Sequence, residues 1–142
     1  MNREKLALAT FVALSRAEQT ISSDVHAPLG QTGLTVSQFG VLEALFHLGP
    51  LPQKVLCEKV LRTPGNLTQV IDSLEEDTMV KRSPNPDDRR SFLVSLTDVG
   101  RKRIADLFPP HSKRVEMAFA SLTRDELQNL LKLLRKIRSP GS

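Results

Sequence analysis

Two adjacent arginines, Arg89 and Arg90, stand in the stretch SPNPDDRRSFLVSLT (residues 83–97), where they could bind an anion. A guanidinium group donates hydrogen bonds in a planar fork that fits phosphate or carboxylate oxygens. The proline, asparagine and aspartate residues before them favour a tight turn, but turn geometry has no need of arginine. Extended segments over residues 79–83 and 91–96 predict a hairpin around that turn. The tip of the hairpin should therefore present two cations.

The positive charge of the chain is concentrated around this hairpin. The 142 residues carry a formal net charge of +4. Residues 79–103 hold seven basic and three acidic side chains, so this segment accounts for the whole of that excess. Such a focus suits a polyanionic partner, although a solvated basic face has the same composition.

Between residue 34 and the hairpin, three helices are predicted, over residues 34–50, 52–62 and 63–77. Thr63 can cap the third helix, and Pro64 fits its first helical position. Where these last two helices meet, a turn of about three residues between Val60 and Pro64 matches the spacing of a helix-turn-helix.

In a helix-turn-helix the second helix of the motif lies in the major groove, with its amino-terminal residues at the base edges. A hairpin beside it can place an arginine in a narrow, A·T-rich minor groove, and Asp87 could orient Arg89 by a charge-assisted hydrogen bond. The alternative for the tip is a surface turn whose arginines only pair with neighbouring aspartates. The predicted DNA contacts at the helix end are Thr63, Pro64, Gly65, Asn66, Thr68 and Gln69.

The two ends of the chain predict further helices. A first helix over about residues 3–25 is apolar around much of its surface, which indicates a partner chain. A long helix follows Thr97, and Pro109-Pro110 should kink or break it. A last helix begins at LTRDEL, where Thr123 and Glu126 have capping-box spacing, as Thr35 and Gln38 have near residue 34.

Together, LTVSQFGVLEAL, GNLTQVIDSLEED, MVKRSPNPDDRRSFLVSLTDVGR and LTRDELQNLLKLL resemble the MarR (multiple antibiotic resistance regulator) family of winged-helix repressors. The resemblance covers nearly the whole chain in the right order, and its most specific part is D-D-R-R followed by a strand and L-T-x-x-G. It implies a homodimer in which the first and last helices intertwine, and a pair of winged helices on pseudo-palindromic, double-stranded DNA. It also implies release from DNA when a small, often aromatic, molecule or an oxidant acts.

By position, the resemblance makes the helix from Thr63 the recognition helix and Arg89 the arginine of the minor groove. Asp87 would orient Arg89, and Arg82 and Arg90 would contact phosphates. The sequence departs from the family at residues 78–80, where Thr-Met-Val replaces the usual Gly-Leu-Val. A glycine there would serve a left-handed turn, which threonine disfavours.

The expected architecture is mostly α-helical with a small β-hairpin wing. Residues 1–30 and 98–142 are predicted to form dimerisation helices, and residues 31–97 a winged helix-turn-helix that binds DNA. The function expected is a sequence-specific transcriptional regulator, a homodimeric repressor released by a small aromatic or phenolic effector. The alternative is a winged-helix module that binds an acidic protein partner and no specific DNA.

Other function classes have little support in the residues. There is no phosphate-binding loop, nucleophile elbow or short-range catalytic cluster, so a non-enzyme without a cofactor is expected. The histidines lack metal-ligand spacing, and Cys57, the single cysteine, is interpreted as a buried structural thiol in a cytoplasmic protein without a membrane span. Conceivable walls of an effector pocket are Phe11, His26, Phe39, Phe46 and Phe108.

Overall fold

Within residues 2–60 and 66–137, which this computed structural model describes, the chain forms six α-helices and a three-stranded antiparallel sheet. The helices are α1 (Arg3–His26), α2 (Val36–Leu48), α3 (Gln53–Lys59), α4 (Leu67–Glu76), α5 (Asp98–Ala118) and α6 (Arg124–Ile137), with a 3₁₀ turn at Ala27–Gln31. The strands are β1 (Leu51–Pro52), β2 (Val80–Asn85) and β3 (Asp88–Leu96). The predicted mostly helical fold with a small β-hairpin is confirmed. In the described residues no helix is both long and apolar enough to span a bilayer.

The chain divides into two compact units, one made of its two ends up to Val25 and from His111, the other of His26–Pro110. The second unit has a continuous hydrophobic core on which α2, α3, α4 and the sheet pack. Its largest fully buried side chains include Phe39, Leu42, Leu45, Leu56, Leu67, Ile71, Leu74 and Ile104. This unit carries the elements predicted to bind DNA.

Strand β1 was not predicted from the sequence, because Pro52 was assigned to a helix. Its two residues pair with β3, Leu51 opposite Val94 and Pro52 opposite Leu93, in the strand order β1-β3-β2. A two-residue strand has no periodicity of its own, so only the tertiary pairing defines it. It attaches the start of α3 to the sheet.

The predicted capping box of α2 is confirmed. The Gln38 N–H donates to the Thr35 Oγ1 over 3.1 Å, and the Thr35 N–H donates to the Gln38 Oε1 over 2.9 Å. Gly49 ends the helix with φ 78°, a left-handed conformation that glycine adopts without strain. The amide of Gln38 also donates to the Ser73 hydroxyl of α4 over 3.1 Å, which links the two helices.

The end of α4 is tied to the start of α5 through one residue with strained backbone, Thr78. Its φ of 62° is left-handed, and the Thr78 and Met79 N–H groups donate to the carbonyls of Glu75 and Leu74, the pattern of a Schellman motif. The Thr97 hydroxyl accepts the Gly100 N–H over 3.0 Å and donates to the Thr78 carbonyl. The glycine-type turn expected in this family is thus present here with a threonine in it.

Replacing Thr78 by glycine should stabilise the protein by about 1 kcal/mol. The left-handed conformation costs a β-branched residue roughly 1–2 kcal/mol, and the larger unfolded-state entropy of glycine offsets part of the gain from removing that strain. Thermal unfolding of Thr78→Gly and Thr78→Asn would measure this, with asparagine expected to lie between the two. A Thr78→Gly protein less stable than the native chain would contradict the strain and show that the Thr78 hydroxyl bond to the Asp77 carbonyl outweighs it.

The proline pair inside α5 does not break the helix, which contradicts the alternative of a break. A proline lacks an N–H, so Pro109 and Pro110 leave the carbonyls of Ala105 and Asp106 without their helical donors. Both of those residues are exposed, so water can satisfy their carbonyls. The boundary between the two compact units falls directly after Pro110.

The unit formed by the chain ends exposes much apolar surface. Every residue of α1 from 3 to 20 is exposed, including Phe11 at 67%. On α6 the predicted capping box is confirmed, and the bonds that the Thr123 backbone and hydroxyl make with the Glu126 side chain lower its pKa. The exposed large apolar side chains of this unit include Leu6, Leu8, Phe11, Met117, Leu131, Leu133 and Ile137.

Candidate nucleic-acid interface

The amphipathic helix α4 presents a polar face to solvent beside its buried apolar face. Leu67, Ile71 and Leu74 are buried, whereas Thr68 and Gln69 are exposed, as is Asn66, which precedes the first helical residue. Three predicted contacts, Thr63, Pro64 and Gly65, lie outside the described residues. Asn66 and Gln69 therefore present side-chain amides to another molecule, and the Thr68 hydroxyl, which accepts a bond from Gln53, still has its own O–H to donate.

Arg82 on β2 holds α4 against the sheet. Its guanidinium lies 2.7 Å from the Asp72 Oδ1 and 2.9 Å from the Glu75 Oε1, and its own backbone N–H donates to the Glu75 Oε2 over 3.1 Å. The Arg82 side chain is only 15% exposed, so these bonds are partly shielded from water. In this structure the guanidinium predicted to contact phosphate is engaged with two carboxylates of the same chain.

Gln53, at the first position of α3, extends this network to the neighbouring helix. Its Oε1 accepts from the Arg82 Nε over 3.2 Å, and its Nε2 donates to the Thr68 hydroxyl over 3.2 Å. Arg82 also donates to the Thr68 carbonyl over 3.4 Å. Sequence reasoning missed Gln53, because nothing in the helical pattern places residue 53 next to residues 68 and 82.

The tip of the wing consists of Pro86 and Asp87, between two strand ends paired at Asn85 and Asp88. Arg89 and Arg90 follow at once and are exposed. In the part of the chain that the structure describes, neither arginine makes an ion pair, so the predicted bond between Asp87 and Arg89 is not formed in this structure. Two exposed arginines without an ion pair thus follow the tip directly.

A cavity of about 420 Å³ lies along the outer side of α2. His26 and Phe39, two of the five predicted pocket residues, line it together with Gly40, His47 and Lys59. Its lining is mostly apolar and includes a few polar or charged side chains such as Ser37, Glu43 and Lys59, which is the usual make-up of a small-molecule site.

The other three predicted pocket residues lie elsewhere. Phe46 and Phe108 contact each other, with ring centroids 6.1 Å apart, and His47 packs edge-on against Phe108 at 4.5 Å. His47 therefore connects this aromatic cluster to the cavity. Phe11 is exposed on α1, in the other compact unit. Cys57, predicted to be buried, is half-buried and packs against the core.

Comparison with known proteins places this arrangement among transcriptional regulators. A sequence model of the MarR family matches residues 34–92. The HTH-type transcriptional regulator MhqR of Bacillus subtilis is 30% identical over 130 residues, which cover 92% of this chain and 90% of MhqR. The HTH-type transcriptional repressor NicR of Pseudomonas putida is 32% identical over 104 residues, covering 73% of this chain and 66% of NicR.

A solved structure of BpsR from Bordetella bronchiseptica superposes with a TM-score of 0.80. The two chains are 27% identical, and the match covers 91% of this chain and 98% of BpsR. The DNA binding of BpsR is regulated by 6-hydroxynicotinic acid. The similarity extends over both compact units of the chain.

Proposed function

The chain belongs to the MarR family of DNA-binding transcriptional regulators, and from that premise we propose that it is a homodimeric repressor, released from its operator by a small aromatic effector. It acts by binding alone, not as an enzyme, and it does so at the chromosome in the cytoplasm. NicR, a repressor, and BpsR, which responds to an aromatic acid, support the finer parts of the proposal.

The distribution of charge around α4 carries the DNA-binding part of the proposal. Asp72 and Glu75 would repel phosphates, but both are bound to Arg82. Arg89 and Arg90 keep their charge for an external anion. This leaves two arginines at the wing that make no ion pair and neutral hydrogen-bonding groups, Thr68 and Gln69, on the helix.

In the proposed complex, Thr68 and Gln69 of α4 contact bases or phosphates in the major groove, as do the preceding residues Thr63, Pro64, Gly65 and Asn66. Arg89 enters the minor groove with Asp87 as its orienter, and Arg90 contacts a phosphate. Arg82 contributes either by a phosphate contact or through its carboxylate partners.

The apolar surface of the chain ends supports a dimer. A helix exposed along residues 3–20 would be marginal in water by itself, because most helical stability in proteins comes from packing of an apolar face. An apolar groove of about 450 Å³ between α5 and α6, lined by Phe119, Leu130 and Leu134, could bind an apolar face of a second copy.

A two-fold dimer should protect from cleavage two DNA half-sites about 10–10.5 base pairs apart, centre to centre. A footprint with one unpaired half-site would contradict it.

Replacing Arg89 by alanine should weaken binding to a preferred duplex by about 1–3 kcal/mol, because the side chain would lose a minor-groove contact. The duplex is first selected from a random-sequence pool with the purified protein, and affinity is then measured by fluorescence anisotropy at two salt concentrations. Arg90→Ala is the matched variant: loss of one phosphate contact should lower the salt slope by about one and affect all sequences alike.

The outcomes of this experiment separate the two functions considered. A duplex bound at least ~10³-fold more tightly than random DNA, with steep salt dependence, is expected for a specific regulator. Failure to select any sequence would favour the module that binds an acidic protein. If Arg90→Ala rather than Arg89→Ala loses the preference for A·T-rich flanks, the two arginines exchange their proposed roles.

The cavity along α2 is the proposed effector site. Lys59 and Val60 line it at the end of α3, directly before the connection that leads to α4. An aromatic ring could pack against Phe39 and Ala44, with its acidic group towards Lys59. An effector bound beside Lys59 and Val60 would change the distance between α3 and the recognition helix.

We expect an aromatic acid to lower DNA affinity. Lys59→Met should raise the acid concentration needed for half-maximal release from DNA by about 10-fold, because a charge-assisted contact is lost. The probes are 6-hydroxynicotinic acid and benzoate, titrated into the protein–DNA complex. Lys54→Met is the matched control, since Lys54 is exposed on the same helix but does not line the cavity. An equal response of both variants would remove the cavity from the proposal.

A further inference from the structure

Asn85, at the end of β2, is the buried polar side chain among the described residues, with 7% of its surface exposed. A buried carboxamide is costly unless its donors and acceptor are bonded. Its position immediately before the wing tip raises the question of what those bonds hold.

The backbone ladder of the wing is interrupted at this residue. Pro84 pairs with Phe92, but the next residue, Asn85, pairs with Asp88. One step along β2 therefore corresponds to four along β3, and residues 89–91 have no partner in the ladder. The two arginines of the tip belong to this unpaired stretch, so regular strand pairing does not fix their position.

Side-chain hydrogen bonds take the place of the missing ladder. The Asn85 Oδ1 accepts the Asp87 N–H over 3.1 Å, and the Asn85 Nδ2 donates to the Ser91 hydroxyl over 3.0 Å. The Ser91 hydroxyl donates to the Asp88 carbonyl over 3.4 Å. Asn85 thus bonds to both ends of the segment that contains Arg89 and Arg90.

We propose that Asn85 is a positioning residue, whose carboxamide presets the irregular wing tip so that Arg89 and Arg90 meet the DNA without further ordering. This inference rests on the proposed DNA-binding function. A tip that is ordered before binding loses less conformational entropy in the complex, and the gain appears as affinity. The group must accept on one side and donate on the other, which a carboxamide does.

The test is a double-mutant cycle measured on the selected duplex. Asn85→Ala and Ser91→Ala should each weaken binding by about 5- to 10-fold, the size of a lost neutral hydrogen bond. Ser95→Ala is the matched control, a serine in the regular part of β3 opposite Lys81, and should leave affinity within about twofold. In a chain that already carries Arg89→Ala and Arg90→Ala, Asn85→Ala should change affinity by less than about twofold.

A structural role without positioning would give another result. If Asn85→Ala weakened DNA binding equally with and without the two arginines, the inference would be overturned, and thermal unfolding would show whether loss of folded protein is the cause. Ser91→Ala keeps the question decidable if Asn85→Ala does not fold. If no duplex can be selected, the proposed function fails and this inference with it; a selected duplex with no coupling in the cycle overturns the inference alone.

Discussion

Gly100→Ala should lower the free energy of unfolding by about 3 kcal/mol, the upper part of the range for overpacked sites. A Cβ at residue 100 would lie 1.9 Å from the Met79 carbonyl oxygen and 2.8 Å from its carbon. These are backbone atoms, and Met79 is held on both sides: its N–H donates to the Leu74 carbonyl, and its carbonyl accepts from the Thr97 N–H. The backbone of Met79 or of Gly100 cannot shift to relieve the clash without moving α4 or α5.

Gly30→Ala provides the matched control for this substitution. A Cβ at residue 30 would meet nothing within 4 Å, and its backbone is not left-handed. Its stability should stay within about 0.5 kcal/mol of the native chain or rise slightly. Thermal and urea unfolding of both variants measure the difference. Equal stability of the two proteins would show that the contact at Met79 is looser than the structure has it.

The second large effect is expected at Arg82. Arg82→Ala should cost about 2 kcal/mol of stability, between the value of a surface pair and that of a buried one. Its partners, Asp72 and Glu75, are 59% and 42% exposed, so water can hydrate them once the guanidinium is gone. Affinity for the selected duplex should fall by about 5-fold, because loss of the guanidinium takes the net charge of the three side chains from −1 to −2, and the one further negative charge faces phosphates at roughly 1 kcal/mol.

A compensated variant distinguishes the two ways in which Arg82 could act. If Arg82 acts only by offsetting its carboxylate partners, Arg82→Ala combined with Asp72→Asn and Glu75→Gln should restore DNA affinity to the native value or above it, because the three side chains then carry no charge. If Arg82 contacts a phosphate directly, as the family resemblance implies, the loss should persist in the combined variant. Anisotropy at two salt concentrations reads both affinity and the number of phosphate contacts.

The elements with strong local signatures were the ones that could be predicted. The capping boxes at Thr35 and Thr123, the apolar face of α4 and the hairpin around Pro86 all follow from residues within one or two turns of each other. The left-handed turn at residue 78 was not predicted, because the glycine usual in the family is replaced by threonine, which disfavours that conformation.

Features that depend on distant partners were beyond sequence reasoning. Gln53, Thr68 and Arg82 share one network although they belong to three different elements. Strand β1 exists only through its pairing with β3. The interruption of the strand pairing at Asn85 could not be predicted either. An alternating pattern over residues 91–96 does not show which residue of β2 each residue of β3 pairs with. In each case a tertiary contact, not a local preference, decides the structure.

The long exposed apolar surface of α1 has a consequence for how strongly a cell's response depends on the amount of this protein. If α1 gains its stability from a second copy, the concentration of binding-competent protein rises with the square of the monomer concentration as long as dimers are scarce. Occupancy of an operator would then respond steeply to small changes in expression or proteolysis. The apolar stripe between residues 6 and 14 would in that way set a threshold of protein abundance, below which the regulated promoter stays unoccupied.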